Sequence, residues 1–250
     1  MAPAGIGDSV EGIHAVAAAL AAGRVLKLTV EDRRADRPEV GELLAAAERA
    51  GVLVTTVGDV RPLATTSAPQ GVVASCRPIP LWSLKELVEA DTPASLVVVD
   101  HVEDTHNLGA IARSAVAAGV PRLVVPTRRA APIGAAAFKA AAGALERCAV
   151  AEVGSVADAV ARLSSMDVWT VGLDAGGDRS LFGLELFTEP VAVVVGGETG
   201  LHRLVRDRVD VVASIPMESE VESLNASVAA ALACFELRRI RSGVEGPGGH

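Results

Sequence analysis

Short apolar runs rich in β-branched residues alternate with helical patterns along most of the chain. Such runs occupy residues 25–30, 52–57 and 71–76, and a longer series begins at residues 96–100. Each run has the length of a strand, whereas the segments between the runs carry apolar residues at helical spacing. Strands that alternate with helices pair in parallel and bury their faces under the helices. The sequence therefore predicts an α/β fold with a mostly parallel sheet and helices on both of its faces.

A break in this alternation near residue 78 predicts two domains. The first 70 residues form a compact αβαβαβ pattern, in which helices are expected at residues 10–22 and 40–50. Two prolines then interrupt the pattern, and a short amphipathic helix is expected at residues 81–90. We expect a small domain over residues 1–78, a linker over 79–95, a larger domain over 96–243 and a disordered glycine-rich tail over 244–250.

The larger domain continues the alternation of strands and helices. Helices are expected at residues 107–118, with Asn107 as the cap, at residues 135–145 and at residues 225–240. The last of these helices finishes the fold. It presents a set of apolar residues on one face: Val228, Ala231, Leu232 and Phe235.

Composition excludes several classes of protein. With 250 residues, 50% of them hydrophobic, the chain is long enough to bury the cores of one large or two modest domains. No apolar run approaches the ~20 residues that cross a bilayer, and the first residues lack the charged and apolar regions of a signal peptide. A formal net charge of −8 argues against a sequence-independent nucleic-acid coat but leaves room for a local basic patch.

The cysteines and histidines predict neither a disulfide nor a metal site. Cys76, Cys148 and Cys234 are odd in number, lie far apart and sit in apolar contexts. They indicate buried free thiols in a reducing compartment, the cytoplasm. Residues 100–106 are rich in potential metal ligands, but their spacing fits no standard zinc site, so no metal is expected.

Two stretches near the C-terminal end, residues 191–201 and 215–227, each join an apolar run to a loop of small or polar residues. Loops of this kind gather in the crevice at the carboxyl edge of a parallel sheet, where α/β proteins bind ligands. Gly196 and Gly197 would let a ligand approach the backbone closely, and Glu198 would be aimed at that ligand. The alternative interpretation is that both stretches are ordinary strand-to-helix turns, in which Ser223 and Asn225 act only as helix caps.

The pattern of the crevice loops restricts the class of ligand. No Gly-x-Gly-x-x-Gly follows a strand, and residues 196–200 carry an acid where phosphates would sit. A Walker lysine and a Gly-x-Ser-x-Gly elbow are both missing. The loops therefore favour a small cationic or zwitterionic ligand held by backbone groups.

Three segments taken together resemble the motifs of the SpoU (TrmH) class of RNA ribose 2′-O-methyltransferases. They are residues 100–113, with Asn-x-x-x-x-x-Arg, residues 194–201, with Gly-x-Glu, and residues 215–227, with Ile-Pro-Met and Ser-Leu-Asn. Residues 12–16 and Gln70-Gly71 are similar to the ribosomal-protein-like RNA-binding domain of the branch that modifies large-subunit rRNA. The resemblance runs from about residue 12 to residue 241. The combination of motifs in this order is highly specific.

This resemblance implies a SPOUT-type fold with a C-terminal trefoil knot, an exception to the rule that chains do not thread. The small α/β domain over residues 1–78 would bind RNA. The knot would bind S-adenosylmethionine, and a homodimer would share its active site between subunits. The target would be 23S rRNA, without a membrane or a metal. A tRNA methyltransferase, a resistance enzyme that methylates rRNA, a non-catalytic RNA-binding relic and a nucleotide-binding oxidoreductase are the alternatives.

The resemblance also assigns residues to roles. The cofactor would be held, largely through backbone contacts, by Gly196, Gly197, Ile215, Met217 and Leu224. The polar catalytic set would be Asn107, Arg113, Glu198, Ser223 and Asn225. Two hypotheses stand for Arg113. Either it is the general base, although a guanidinium seldom releases its proton, or it is the cation that fixes a phosphate and the developing alkoxide.

Four positions depart from the pattern of this class. Thr105 stands where a proline is usual, His101 where a glycine is common, and Thr199 where a second glycine often follows the glutamate. Pro69 replaces a histidine in the small domain. The polar catalytic set is intact, so the sequence predicts an active enzyme and argues against a relic.

Overall fold

The computed structural model describes residues 5–218 and 223–243, and its small N-terminal domain is a four-stranded sheet covered by two helices. The domain contains β1 (Gly5–Ile6), β2 (Ser9–Glu11), α1 (Ile13–Ala21), β3 (Val25–Glu31), α2 (Pro38–Arg49), β4 (Leu53–Val57), β5 (Val72–Cys76) and β6 (Ile79–Pro80). The strand order is β2-β5-β3-β4, in which only β3 and β4 pair in parallel. β1 and β6 form a separate antiparallel pair.

The start of the first helix differs from the prediction. Residues 9–11 form β2, which pairs with β5 through Val10 and Ala74, and α1 begins only at Ile13. Gly12 separates the two elements with a φ of 88°, a conformation that glycine adopts without strain. The side-chain Oε1 of Gln70 then accepts a hydrogen bond from the backbone N–H of Ile13 at 3.1 Å. Gln70 therefore satisfies one of the free N–H groups at the start of α1.

The larger domain is a seven-stranded sheet in which every pairing is parallel, as predicted. Its elements are α3 (Leu84–Glu89), β7 (Ser95–Asp100), α4 (Thr105–Ala118), β8 (Arg122–Pro126), α5 (Ala135–Ala140), β9 (Ala149–Val153), α6 (Val156–Ser164), β10 (Trp169–Leu173), β11 (Arg179–Ser180), β12 (Val191–Gly196), α7 (Arg203–Arg206), β13 (Val211–Ser214) and α8 (Ala226–Arg241). Helices lie on both sides, so every residue of β7 and β12 is buried.

The strand order positions the site. The sheet runs β11-β13-β10-β12-β7-β8-β9, so β12 lies between β10 and β7. The chain first extends the sheet from β7 to β9 and then returns to the other side of β7. The carboxyl ends of β10, β12 and β7 therefore meet where the strand order reverses, the position at which open α/β sheets bind ligands.

Two helix boundaries in the larger domain correct the prediction. The helix expected over residues 135–145 ends at Ala140, because Ala142 and Gly143 have φ values of 49° and 87°. A Cβ atom at Gly143 would lie 2.4 Å from the Cβ of Ala18 on α1, so the turn also brings the two domains into contact. In addition, α4 begins at Thr105 with Asp104 as its cap, so Asn107 is not the cap that the sequence predicted.

The face of α8 that the sequence singled out is only partly exposed. The buried residues of α8 are Ala226, Ala230, Ala233, Cys234, Glu236 and Leu237. Val228 and Phe235 are 46% and 48% exposed, whereas Ala231 and Leu232 on the same face are half-buried and Leu232 packs against the core. We call these four residues the α8 stripe.

The two domains are held together by packing and by a buried ion pair. The guanidinium of Arg24 bonds the carboxylate of Glu146 at 2.5 and 2.6 Å, and it lies 5.7 Å from the ring centroid of Phe138. α3, the short helix expected within residues 79–95, packs against β7 and β9. The proposed boundary at residue 78 and the linker remain predictions, and the predicted tail over residues 244–250 lies outside the described residues.

The three cysteines are free and buried, as the sequence predicted. Burial raises the pKa of Cys76 to about 11 and the pKa values of Cys148 and Cys234 to about 12. The thiols are therefore protonated and unreactive at neutral pH. Within the described residues, no helix combines the length and apolar character needed to cross a membrane.

The trefoil knot remains a prediction. Residues 219–222, between β13 and α8, lie outside the described residues, so the path of the chain there is not traced.

Candidate functional site

A cavity of about 320 Å³ lies at the carboxyl ends of β10, β12 and β13. The structure brings all five predicted cofactor residues to its wall: Gly196, Gly197, Ile215, Met217 and Leu224. Two members of the predicted catalytic set, Glu198 and Ser223, also line it. Apart from residues 219–222, the stretches 191–201 and 215–227 therefore meet at one place, although β12 and β13 are not neighbours in the sheet.

The glycines of this loop are required first by the backbone itself. A Cβ atom at Gly196 would lie 2.2 Å from the carbonyl carbon of Gly200, and one at Gly197 would lie 2.3 Å from the carbonyl oxygen of His101. The loop folds back on itself, since the N–H of Gly200 donates to the carbonyl of Gly197 at 3.0 Å. Any larger residue would open this turn, so the glycines shape the cavity as well as line it.

Asp174 is a lining residue that the sequence analysis missed. It follows β10 directly, and its Oδ1 accepts a hydrogen bond from the N–H of Gly176 at 2.9 Å. The guanidinium of Arg206 lies 3.6 Å from the other carboxylate oxygen. Its position as the first charge after a buried strand is the same signal that identified Glu198.

The chemistry of the cavity fits S-adenosylmethionine, which joins a flat aromatic adenine to a ribose and a cationic sulfonium. Apolar side chains form most of the wall: Leu173, Val195, Ala213, Ile215, Leu224, Ala226 and Ala229. Two carboxylates, Asp174 and Glu198, supply acceptors and negative charge. Pockets of this kind, mostly apolar with a few placed polar groups, are typical of small-molecule sites. Among the described residues, no group of three or more His, Cys, Asp or Glu side chains is arranged to hold a metal.

A second cavity, of about 770 Å³, lies on the other side of residues 197–200. Its wall includes His101, Asn107, Arg129 and His202, and it shares Glu198 with the first cavity. Only Asn107 and Glu198 among these were predicted as site residues. The two cavities are therefore separated by a single loop that carries a carboxylate.

Asp100 joins the loops that form the second cavity. Its side chain is fully buried at the end of β7, and its Oδ2 accepts a hydrogen bond from the N–H of His202 at 2.7 Å. Its Oδ1 lies 2.5 Å from Nδ1 of His101, whose ring stacks on that of His202 at a centroid distance of 5.2 Å. A charge at the end of an otherwise apolar strand is the sequence signal that would have found it.

Asn107 and Asn225 meet across the two motifs that contain them. The side-chain Nδ2 of Asn225 donates to Oδ1 of Asn107 at 3.0 Å, although 118 positions separate the two residues. Oδ1 of Asn225 also accepts from the N–H of Ser227 at 2.8 Å, so Asn225 caps α8 as predicted. This contact links the wall of the second cavity to the start of α8, beside the first cavity.

Arg113 lies apart from the other predicted site residues of the same chain. It lies on α4 six residues after Asn107, which is about 1.7 helical turns, so it points to a different side of the helix. Its side chain is exposed, lines neither cavity and has no hydrogen-bond or ion-pair partner among the described residues.

Comparisons with known proteins agree with this architecture. Residues 94–235 match the model of the SpoU rRNA Methylase family, and residues 9–82 match a model described as RNA 2′-O ribose methyltransferase substrate binding. A crystal structure of the SpoU methyltransferase AviRb from Streptomyces viridochromogenes, in complex with AdoMet, superposes with a TM-score of 0.75. That match covers 94% of this chain and 90% of AviRb at 25% identity, and it confirms the predicted SPOUT-type fold class.

Curated relatives resemble the chain more closely in sequence. The 23S rRNA (guanosine-2′-O-)-methyltransferase RlmB of Xylella fastidiosa (strain 9a5c) is 45% identical over 178 residues, which are 69% of this chain and 71% of the relative. The RlmB of Ralstonia nicotianae is 38% identical over 238 residues, 92% of this chain and 95% of the relative. The chain therefore belongs to the SpoU rRNA methylase family.

Proposed function

We propose that the chain transfers a methyl group from S-adenosylmethionine to a ribose 2′-hydroxyl of 23S rRNA, with a guanosine as the target. The observation that carries this proposal is the meeting of the predicted cofactor residues with Glu198 and Ser223 in one cavity, beside Asn107 and Asn225. The relatives named RlmB support the rRNA target, and the AdoMet complex of AviRb supports the cofactor.

The first cavity would hold the cofactor. The loops at Gly196 and Ile215 would contact it mainly through backbone groups, with Met217 and Leu224 as apolar cover. The cofactor supplies an electrophilic methyl group on its sulfonium. The protein then has to present the ribose hydroxyl in line with that group, and such positioning provides much of the rate of a transfer reaction.

The polar residues between the cavities would position the ribose. Glu198 borders both cavities, and the amide pair of Asn107 and Asn225 joins the N-terminal ends of α4 and α8. Side-chain amides and carboxylates at hydrogen-bond distance from a ribose hydroxyl fix its orientation. Ser223 completes this set at the wall of the first cavity.

Arg113 would act on the site of a second copy of the chain. Its guanidinium is exposed and has no partner among the described residues, as expected for a side chain whose ligand comes from outside the subunit. We favour the electrostatic role, in which Arg113 holds a phosphate of the RNA and the developing alkoxide, because a guanidinium releases its proton only above pH ~12.

The α8 stripe would form part of the interface of a homodimer. Val228, Leu232 and Phe235 follow one another at helical spacing, and two of the three side chains are nearly half exposed. A self-complementary apolar patch of this kind is typical of a twofold-symmetric interface. Because rRNA is the proposed substrate and the three thiols are reduced, we expect the dimer to act in the cytoplasm.

The proposal is tested by cofactor binding and by mapping of methylated riboses. Calorimetry should detect S-adenosylmethionine binding to the purified protein and no binding of nicotinamide cofactors. Mass spectrometry of rRNA from cells with and without the gene should show the loss of one 2′-O-methylguanosine from 23S rRNA. If the methyl group disappears from tRNA instead, the proposed 23S rRNA target is wrong. If S-adenosylmethionine does not bind, the proposed function is wrong.

A further inference from the structure

We propose that the second cavity receives the base of the target nucleotide, with the paired imidazoles of His101 and His202 as its stacking surface. This inference rests on the proposed function and adds a substrate subsite to it. Four observations on the described residues support it: the backbone at His101, the fixation of the two rings, the polar groups at the rim and the position next to the cofactor cavity.

The backbone at His101 favours glycine, yet this chain carries an imidazole there. His101 has a φ of 54° and Arg129, on the same wall, has a φ of 52°. Side chains other than that of glycine are strained in this left-handed region. Two side chains on strained backbone therefore face one cavity, and residues of this kind cluster at binding sites.

Both imidazole rings are fixed before any substrate arrives. Nδ1 of His101 donates to Oδ1 of the buried Asp100 at 2.5 Å, while Nδ1 of His202 accepts a hydrogen bond from the N–H of Leu204 at 3.3 Å. The rings stack with an angle of 24° between their planes. A ring that is already ordered can stack on a base through the face that the other ring leaves free, without a further loss of side-chain entropy.

The His202 ring is not needed to hold the loops together. The N–H of His202 binds Oδ2 of Asp100, and the N–H of Gly197 donates to the carbonyl of Asp100 at 2.9 Å. These contacts use backbone groups of His202 and Gly197, which any side chain at position 202 would leave in place. The His202 imidazole therefore adds a feature that the turn itself does not require.

The rim of the cavity fits guanine. Guanine presents acceptors at O6 and N7 and donors at N1 and N2. The Arg129 guanidinium and the Glu103 carboxylate both line the cavity, and neither has a hydrogen-bond or ion-pair partner among the described residues. Arg129 would donate to O6 and N7, and Glu103 would accept from N1–H and N2–H. Enzymes that act on single nucleotides read a base in this way, by stacking together with hydrogen bonds to its edge.

The position of the cavity agrees with a base there. A ribose attached to that base would lie near the loop 197–200, between Glu198 and the amide pair of Asn107 and Asn225. The cofactor cavity opens on the other side of the same loop. The base, the ribose and the methyl donor would then follow one another across the loop.

Two substitutions at His202 separate stacking from helix capping. His202→Asn keeps a cap for α7 and removes the ring, whereas His202→Phe keeps a ring and removes the cap. We expect His202→Asn to raise the KM for RNA about tenfold, the size of the loss of one stacked base, and His202→Phe to change it less than about threefold. Both variants should bind S-adenosylmethionine like the wild type. A larger KM for His202→Phe than for His202→Asn would show that His202 is only a cap and would overturn the inference.

His101→Gly provides the matched test at the strained position. The variant removes the imidazole and relieves the backbone strain, but it also leaves Oδ1 of the buried Asp100 without its His101 partner. We therefore expect a lower melting temperature, wild-type binding of S-adenosylmethionine and a KM for RNA that rises about tenfold. A wild-type KM for RNA in His101→Gly would overturn the stacking role.

Nuclear magnetic resonance of the histidines tests the subsite without turnover. The chain has only five histidines, so the His101 and His202 signals can be assigned with the two variants. With S-adenosylhomocysteine bound to the full-length protein, guanosine 3′-monophosphate should shift both signals, and cytidine 3′-monophosphate should shift them less. If the His101 and His202 signals do not shift although the enzyme methylates RNA, the base subsite is wrong and the proposed function stands. Shifts in a protein that methylates no RNA would overturn the proposed function and leave the nucleotide subsite.

Discussion

Arg113 stands apart from the other proposed catalytic residues, since its side chain is exposed on α4 and lines neither cavity. Asn225 shows the opposite situation, because one amide caps α8 and contacts Asn107 at the same time. Capping and the proposed catalytic role coincide in Asn225, so the sequence motif and the helix signal fall on the same residue. Arg113 has no such local contact among the described residues, and its proposed role depends on a second copy of the chain.

Substitution of Arg113 distinguishes its two proposed roles. If Arg113 stabilises charge, Arg113→Lys should retain measurable turnover because the positive charge remains, whereas Arg113→Ala should lose about 10²–10³-fold in kcat. Steady-state methylation of a 23S rRNA transcript measures both. Equal, complete loss in the lysine and alanine variants would favour the general-base role instead.

Glu11 makes the stability of the small domain depend on pH. Its buried carboxylate accepts hydrogen bonds from the N–H and hydroxyl groups of Thr65 and Thr66. Burial raises the pKa of Glu11, but these hydrogen bonds outweigh burial and hold the pKa below its ordinary value of 4.5. The lowered pKa means that the carboxylate contributes fully to stability above about pH 4.5, and that this contribution is lost as the pH falls through the folded-state value.

Glu11→Gln should reduce the free energy of unfolding at pH 7 by about 1–3 kcal/mol, because one amide oxygen replaces two carboxylate oxygens. Urea denaturation of both proteins at pH 7 and pH 4 measures the difference. We expect the difference in the free energy of unfolding between the two proteins to be smaller at pH 4 than at pH 7. A difference that stays constant would contradict the role assigned to Glu11.

Helix packing depends on small residues in α4 and α5. Gly109 lies inside α4, where a Cβ atom would be 2.5 Å from the Cβ of Ala140 and 2.7 Å from the backbone nitrogen of Ala141. Glycine is unfavourable in a helix interior, so its presence here is explained by the close approach of the two helices. Gly41, the fourth residue of α2, has no atom within 4 Å of the corresponding position.

The two glycines should therefore respond to alanine in opposite directions. Gly109→Ala should destabilise the protein by about 1–3 kcal/mol through overpacking, while Gly41→Ala should stabilise it by about 0.4–1 kcal/mol. Thermal and urea unfolding of the two variants measure the effects. Stabilisation by Gly109→Ala would mean that α5 can move away from α4 without a loss of stability.

At the scale of the whole molecule, the α8 stripe and the exposed Arg113 both support the proposed homodimer. The exposed apolar side chains on the last helix would be buried by a second copy, and the Arg113 guanidinium, which has no partner among the described residues, would reach that copy's cavity. These two observations are independent, because one concerns packing and the other concerns charge.

Phe235→Glu should break the proposed homodimer, since burial of a carboxylate at an apolar interface is strongly unfavourable. The matched control is Leu53→Glu on β4, where an apolar side chain is 62% exposed outside the α8 stripe. Light scattering after gel filtration should give a monomer for Phe235→Glu and a dimer for Leu53→Glu. A dimeric, active Phe235→Glu would place the interface elsewhere.

Mixed dimers test whether the site is shared. Arg113→Ala and Asn225→Ala should each be inactive as homodimers. If Arg113 acts across the interface, a dimer with one chain of each variant has one intact site, so mixing should restore activity. No recovery in a mixture that demonstrably exchanges subunits would place Arg113 in the site of its own chain.

The sequence by itself determined what depends on neighbours along the chain. The periodicity of apolar residues gave the parallel sheet of the larger domain and most helices. Motif spacing predicted Gly196, Ile215 and Asn225 as site residues, of which Gly196 and Ile215 line the first cavity. It missed the strand at residues 9–11, because three residues in a sheet of mixed direction carry too little pattern to distinguish them from a helix start.

Only the tertiary structure decided which distant residues meet and which faces stay open. The contacts of Asn107 with Asn225 and of His101 with His202 depend on β12 entering the sheet between β10 and β7, and strand order is not encoded in local spacing. Helical periodicity groups Val228 with Phe235 but cannot say which face of α8 meets the core. That choice depends on the total area that each face can bury, which is a property of the assembled molecule.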